Sequence, residues 1–190
     1  MFLFAYLDKL PPVPQHLLDA QGLDEKQYYA TPERVMADGT TIKNVDCQRW
    51  EVTPELEKWI QEHIAKSDQT GYQITKPLPG VSTHLVHTDS WPRRWVLNYI
   101  PDLGGDNVIT NFYREKDHPI SRGILVRPKR LDNLELLQSV KVQANRWCIL
   151  NTSVLHEIIN LTGPRVYVTI GIGLEDPFPA IHAYKDYLSL

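Results

Sequence analysis

The sequence predicts a mainly β fold with flanking helices, arranged as a sandwich or barrel of the jelly-roll kind. From about residue 80 onward, short segments rich in β-branched and aromatic residues follow one another. Turn signals such as Gly104-Gly105 and Thr162-Gly163-Pro164 separate them. The part before residue 80 is mixed and contains one strongly amphipathic helix. Many short strands in even succession indicate two sheets with a cavity between them.

We expect the 190 residues to form one domain, which is long enough to bury a core without help from disulfides. Within it, residues 1–79 are expected to act as a helical and mixed support. Residues 80–175 are expected to form the β-strand core, and residues 176–190 a C-terminal extension.

A helix is predicted from Thr53 to Lys66. Thr53 is a favourable N-cap, and Pro54 is well tolerated at the first helical position. Apolar residues then recur at helical spacing, namely Leu56, Trp59, Ile60 and Ile64. This apolar stripe should lie on the outside of one sheet, with His63 as a packed or rim residue.

Seven strands are predicted from β-rich composition and the turn residues between segments. In chain order they cover Thr83 to Thr88, Arg94 to Ile100, Asn107 to Tyr113, Gly123 to Val126, Val140 to Gln143, Trp147 to Asn151 and Arg165 to Leu174.

Composition argues against several kinds of partner. Twenty basic and twenty-three acidic residues give a formal net charge of -3, without the concentrated basic face that nucleic acid or an anionic membrane requires. No apolar run approaches the roughly 20 residues needed to cross a bilayer. Cys47 and Cys148 form neither a CxxC motif nor a disulfide framework. We therefore expect a soluble, cytoplasmic protein, and the sequence leaves its oligomeric state open.

The first chemical motif is His87-Thr88-Asp89, at the end of a predicted strand. Side chains two residues apart on a strand share a face, so His87 and Asp89 should converge. His156 follows the apolar strand around Trp147, far enough along the chain to return on a neighbouring strand. Two histidines and one carboxylate bind one face of an octahedral metal and leave the opposite positions open, as in non-haem iron(II) oxygenases. We predict a catalytic metal site on these three residues.

Two further residues near this motif receive different interpretations. His84 precedes His87 by three positions and should lie on the opposite strand face, which makes it a poor ligand. Arg165 begins an alternating strand, where its guanidinium can grip a carboxylate through two parallel hydrogen bonds. A buried arginine needs an anion, and a dicarboxylate bound to the metal would supply one.

Taken together, His87-Thr88-Asp89, His156 and Arg165 resemble the pattern of the iron(II)- and 2-oxoglutarate-dependent dioxygenases. The resemblance covers roughly residues 80–175. It implies a double-stranded β-helix, a jelly-roll or cupin-like barrel, for that part of the chain. It also implies iron(II) and 2-oxoglutarate as cofactors, with ascorbate as a candidate reductant.

Within that superfamily, the segment Arg94 to Tyr99 and the Gly104-Gly105 turn are most similar to the free-proline, prolyl and aspartyl/asparaginyl hydroxylases. This similarity implies hydroxylation of an amino acid, either free as a small molecule or within a peptide. Trp91 and Arg93 come directly after the ligand pair and would lie near the metal if the strand ends there, so we also expect them on the substrate side.

The resemblance also assigns residues to the cosubstrate. Arg165 would bind the distal carboxylate of 2-oxoglutarate. In the aspartyl/asparaginyl branch a polar residue eleven positions after the first histidine contacts 2-oxoglutarate, and that position is Asn98 here. Many relatives have serine two residues after the arginine, whereas this chain has Tyr167. The second contact to the distal carboxylate would then come from Tyr167, Thr169 or elsewhere.

Two other functions compete with this hypothesis. The first is a metal-binding barrel without turnover, serving as a sensor or binding module. The second is a cupin-type enzyme that needs no cosubstrate. The usual ligand set of that type is an HxH pair with a following glutamate, whereas Asp89 takes the second position here.

Overall fold

The computed structural model describes residues 2–23, 28–29, 33–35, 39, 41–89, 93–116, 128 and 131–182. The described residues are mainly β and contain two short α-helices, α1 (Gln15–Asp19) and α2 (Pro54–His63). Short 3-10 turns cover Leu131–Asn133 and Phe178–Ala180.

The strands of the described residues are β1 (Phe4–Tyr6), β2 (Tyr28–Tyr29), β3 (Glu33–Val35), β4 (Thr41–Lys43), β5 (Asp46–Trp50), β6 (Thr70–Lys76), β7 (His84–His87), β8 (Trp95–Leu103), β9 (Ile109–Glu115), β10 (Leu134–Val140), β11 (Trp147–Asn151), β12 (Leu155–Ile159) and β13 (Arg165–Ile172).

Two antiparallel sheets organise these strands. The larger has seven strands in the order β1-β11-β8-β13-β6-β5-β2, and the smaller has four in the order β10-β9-β12-β7. Strands β3 and β4 form a separate pair. The larger sheet therefore takes strands from both sides of residue 80.

Helix α2 begins as the sequence predicts. The Thr53 side chain accepts a hydrogen bond from the Leu56 backbone N–H at 3.3 Å, which satisfies one of the free donors of the first turn. The helix ends at His63, three residues before the predicted end. Ile60 and Ile64 are fully buried, whereas the His63 side chain is half exposed and stacks beside Trp59. The predictions of the cap, the apolar stripe and a rim histidine are confirmed.

The larger sheet has two apolar faces because its strands alternate their side chains. Its outer face packs under α1 and α2 through Leu97, Tyr99, Trp147, Ile149, Val168 and Ile170. Its inner face meets the smaller sheet in a second cluster, which includes Ile100, Cys148, Leu150 and Tyr167 on one side and Phe112 on the other. The candidate site lies at this inner layer.

The strand predictions are accurate where alternation is regular. β11 matches its predicted bounds, and β13 matches its predicted start. The strand predicted at Val140 to Gln143 is wrong, because β10 runs from Leu134 to Val140. A register shift against β9 between Leu136 and Gln138, together with an exposed Leu136, hides the alternation there. The prediction at Gly123 to Val126 lies outside the described residues.

Three strands that matter for the site were not predicted as segments. β5 and β6 lie in the part expected to be mixed, and β12 carries His156. β6 begins Thr-Gly-Tyr-Gln, and such polar and glycine-containing positions weaken the strand signal.

No helix of the described residues is long and apolar enough to cross a bilayer. Cys47 and Cys148 are both free and buried. Burial raises the pKa of the Cys148 thiol to about 12.

Candidate metal centre

The structure brings His87, Asp89 and His156 together. His87 ends β7 and is the direct register partner of His156 on β12. Asp89 lies two residues beyond the strand, where its backbone N–H donates to the Thr152 carbonyl at 2.9 Å. One ligand atom from each of the three side chains lies within 4.8 Å of the others. This separation suits a single cation held between them.

Backbone carbonyls orient both imidazoles. The His87 Nδ1 lies 2.6 Å from the Leu85 carbonyl, and the His156 Nδ1 lies 2.9 Å from the Val154 carbonyl. A carbonyl oxygen can only accept, so each Nδ1 carries the proton and each Nε2 keeps its lone pair. Metal-bound histidines typically have their other ring nitrogen held in this way. The His87 Nε2 lies 3.7 Å from the Asp89 carboxylate, on the side where a metal would bind.

Asp89 is held in its charged form by its surroundings. Burial alone would raise its pKa, but the positive charge of Arg93, the adjacent imidazoles of His156 and His87, and the charge of Arg49 together outweigh burial and lower it. The Arg93 Nη2 lies 3.7 Å from Asp89 Oδ2. The carboxylate is thus available as an anionic ligand.

Aromatic packing closes the site on the smaller-sheet side. The ring centroids of His87 and His156 lie 4.5 Å apart, and that of Phe112 lies 6.3 Å from His156. Phe112 is fully buried on β9, opposite His156 in register. The imidazoles therefore have fixed positions with little access for bulk water from this side.

His84 does not lie where strand alternation predicts. Its ring centroid is 4.5 Å from that of His87, so the two rings are neighbours. The β7–β12 register shifts between the pairs His87–His156 and His84–Ile158, which sets three residues of β7 against two of β12. This irregularity breaks the period of two. The prediction that His84 faces away from His87 is wrong.

Arg165 is buried on the inner face of the larger sheet, at 2% exposure. Its Nε and Nη1 atoms have no hydrogen-bond partner, and it forms no ion pair within the described part of the chain. Burial lowers its pKa, although Tyr167 and Cys148 oppose that shift. A buried guanidinium without an anion is costly, so the position favours an anionic ligand.

Asn98 and Thr169 lie side by side on this inner face. They are register partners on β8 and β13, and the Asn98 Oδ1 is buried without a hydrogen-bond partner. The Thr169 hydroxyl accepts from the Arg93 Nη2 at 2.9 Å. The Tyr167 hydroxyl lies 3.3 Å from the Thr75 hydroxyl. Trp91 lies outside the described residues.

Sequence reasoning missed Arg49. It lies on β5, and its Nη2 donates to the Thr70 carbonyl at 3.0 Å. Its guanidinium crosses the backbone at Gly71, which is the register partner of Thr169. No local signal marks Arg49, because a single arginine before the predicted helix has the same appearance as a solvated one.

The arrangement can bind a divalent metal through two imidazoles and a carboxylate, and an anion through a separate buried arginine. No protein-family model matches this chain, and no curated protein matches it significantly.

Proposed function

We propose that this chain is a non-haem iron(II)- and 2-oxoglutarate-dependent dioxygenase that hydroxylates an amino acid, free or within a peptide. One combination of features carries the proposal: a His-Asp-His cluster in which His156 is buried and His87 and Asp89 are partly buried, together with an unpaired arginine buried between the same two sheets. The His-Asp-His cluster alone would be compatible with many kinds of metal-binding protein. The arginine adds the requirement for an anionic cosubstrate.

Strand order supports a double-stranded β-helix for this proposal. From β6 to β13 the chain alternates between the larger and the smaller sheet at every connection except β9 to β10, which pair within the smaller sheet. The resulting orders β6-β13-β8-β11 and β7-β12-β9-β10 support the proposal of a jelly roll made from eight strands. In that arrangement the metal ligands belong to the smaller sheet, and Arg165 belongs to the last strand of the larger one.

The donor set fits iron(II). Two neutral imidazoles and one carboxylate are the ligands of the facial arrangement that leaves three positions for other molecules. Each ring is held through its Nδ1 by a backbone carbonyl, so the metal would be bound through Nε2. His87, Asp89 and His156 would together hold the metal.

The unpartnered polar atoms fit the cosubstrate. Arg165 offers two buried nitrogen donors without partners, Nε and Nη1, and Asn98 offers a buried amide whose oxygen has no partner. A guanidinium binds a carboxylate through two parallel hydrogen bonds. Arg165 would bind the distal carboxylate of 2-oxoglutarate, and Asn98 and Thr169 would contact it from the adjacent register positions.

In this mechanism the protein supplies position and a dry cavity. Iron(II) and 2-oxoglutarate, when bound, would allow dioxygen to act as the oxidant: one oxygen atom would enter succinate as 2-oxoglutarate loses carbon dioxide, and the other would enter an unactivated C–H bond of the substrate. His87, Asp89 and His156 would hold the metal, and three such ligands would leave positions for other molecules. Arg165 orients the cosubstrate, and the apolar layer around Phe112 and Leu150 limits water near the reacting groups.

The test is an anaerobic titration of the pure protein with iron(II) and 2-oxoglutarate, followed by oxygen. We expect a weak visible charge-transfer band before oxygen and succinate after it. His63→Ala is the matched control, because His63 is a half-exposed residue on α2 and should leave both signals unchanged. The absence of both the charge-transfer band and succinate would contradict the proposal.

The same titration separates an enzyme from a metal-binding module that does not turn over. A module would bind iron(II) with no 2-oxoglutarate band and no succinate, even with candidate substrates present. The buried, unpaired Arg165 favours the enzyme, because a module without an anionic cosubstrate would retain a costly charge for no purpose.

A further inference from the structure

Two arginines besides Arg165 lie on the inner side of the larger sheet, next to the metal cluster. The Arg93 Nη2 lies between the sheet and the His-Asp-His cluster, 2.9 Å from the Thr169 hydroxyl and 3.7 Å from Asp89 Oδ2. The Arg93 Nε is buried without a hydrogen-bond partner. Arg49 crosses the strand that pairs with Thr169, so both guanidiniums lie beside the same position of β13.

Two glycines make room for these side chains. A methyl group at Gly71 would lie 2.9 Å from the Arg49 Cζ, and one at Gly171 would lie 2.9 Å from the Arg93 Cγ. Both distances are shorter than van der Waals contact. Gly71 and Gly171 belong to neighbouring strands, β6 and β13. The sheet thus provides two gaps in which long basic side chains lie flat, close to the metal cluster.

Charge is unbalanced around this site. Arg49, Arg93 and Arg165 face it, and among the described residues Asp89 is the one carboxylate within 4.0 Å of any of their nitrogens. Iron(II) and 2-oxoglutarate carry opposite charges of equal size, so binding them leaves this positive excess in place. Arg165 is assigned to the cosubstrate. Arg49 and Arg93 therefore still lack a sufficient anion.

We propose that Arg49 and Arg93 bind a carboxylate of the primary substrate. The inference rests on the proposed function, because it takes the metal cluster beside Asp89 as the reaction centre. It narrows the substrate to a molecule that carries a carboxylate close to the C–H bond that is hydroxylated. Two sources have this chemistry: the α-carboxylate of a free amino acid and the side chain of an acidic residue in a peptide.

The experiment is isothermal titration of the iron(II)- and 2-oxoglutarate-loaded protein, kept anaerobic so that nothing turns over. The probes are the twenty common free amino acids, their C-terminal amides, and blocked peptides with an internal aspartate or asparagine. We expect a free amino acid to bind and its amide to fail, or the aspartate peptide to bind and the asparagine peptide to fail. Either pattern supports the carboxylate site and identifies its source.

Two variants test whether the binding depends on Arg49. Arg49→Gln and Gly71→Ala should each lower the affinity for the probe tenfold or more. Gly71→Ala would do so by displacing the Arg49 guanidinium. Both should retain the charge-transfer band, which reports the metal and cosubstrate. Arg114→Gln is the control, because Arg114 is exposed and paired with Glu135 on the neighbouring strand.

Three outcomes would overturn the inference: equal binding of acids and amides, binding unaffected by Arg49→Gln, or no binding by any probe. The titrations are repeated on the metal-free protein. A missing charge-transfer band with probe binding that still depends on Arg49 refutes the proposed function and retains the carboxylate site. A normal charge-transfer band without Arg49-dependent probe binding refutes the carboxylate site and retains the proposed function.

Discussion

His87 and His156 face each other as register partners on adjacent antiparallel strands, with ring centroids 4.5 Å apart and each Nδ1 against a backbone carbonyl. The pairing fixes two ligand atoms at once, because neither ring can rotate without losing its carbonyl partner. Asp89 then needs only the short segment after β7 to reach them. The geometry of the proposed metal site is therefore set by the β7–β12 pairing and the short segment after β7.

His156→Ala should abolish tight metal binding, because it removes one of two imidazoles and leaves a histidine and a carboxylate. We expect the affinity for Co(II), measured by its visible absorption, to fall by about 100-fold or more. His63→Ala should bind Co(II) as the unchanged protein does. Equal affinities for the two variants would show that the cluster does not hold the metal.

Arg165→Met should separate function from stability. The substitution removes a buried, unpaired charge and supplies apolar volume beside Cys148 and Tyr167, so the ligand-free protein should unfold at the same temperature or a higher one. The affinity for 2-oxoglutarate should fall tenfold or more, since a charge-assisted pair contributes about 1.5–3 kcal/mol. Thermal unfolding and titration calorimetry measure the two effects. A large drop in unfolding temperature with unchanged affinity would contradict the assignment.

Tyr113 should make the free energy of unfolding depend on pH in the alkaline range. Burial, its hydrogen bond to Glu157 and the charge of that carboxylate raise the pKa of Tyr113 to about 12. A tyrosine in the unfolded chain titrates near pH 10, roughly. Because the folded state holds the proton more tightly, the stabilisation is complete below that pH and is lost as pH rises towards 12.

Urea unfolding between about pH 9 and pH 12 measures this loss. Tyr113→Phe cannot titrate, so its free energy of unfolding should fall less steeply with pH over the same window. The difference between the two proteins isolates Tyr113 from the other tyrosines. Parallel curves would mean that the Tyr113–Glu157 contact does not couple to folding.

Ile60→Ala should test how far helix α2 supports the sheet that carries the site. Ile60 is fully buried against the outer face of that sheet, so we expect a loss of about 2–5 kcal/mol in the free energy of unfolding. Lys58→Ala, on the exposed side of the same helix, should change it by less than about 0.5 kcal/mol. Similar losses in the two variants would contradict the conclusion that Ile60 supports the sheet through packing.

Local sequence signals determined the elements that obey one simple period. Thr53 and Pro54 predict the start of α2, and regular apolar alternation predicts the bounds of β11. The His87, Asp89 and His156 cluster could be proposed because residue type and strand position suffice to suggest convergence. Such signals are contained within a few neighbouring residues, and they need no knowledge of the rest of the chain.

Only the tertiary structure decided which distant residues share the inner face. The β7–β12 irregularity places His84 beside His87, against simple alternation. Arg49 reaches the site because β5 and β6 join the larger sheet and Gly71 leaves space for its side chain. Register, bulges and burial of a single charge depend on pairing between segments far apart in sequence. The sequence determines these features through the energy of the whole fold, which local patterns do not express.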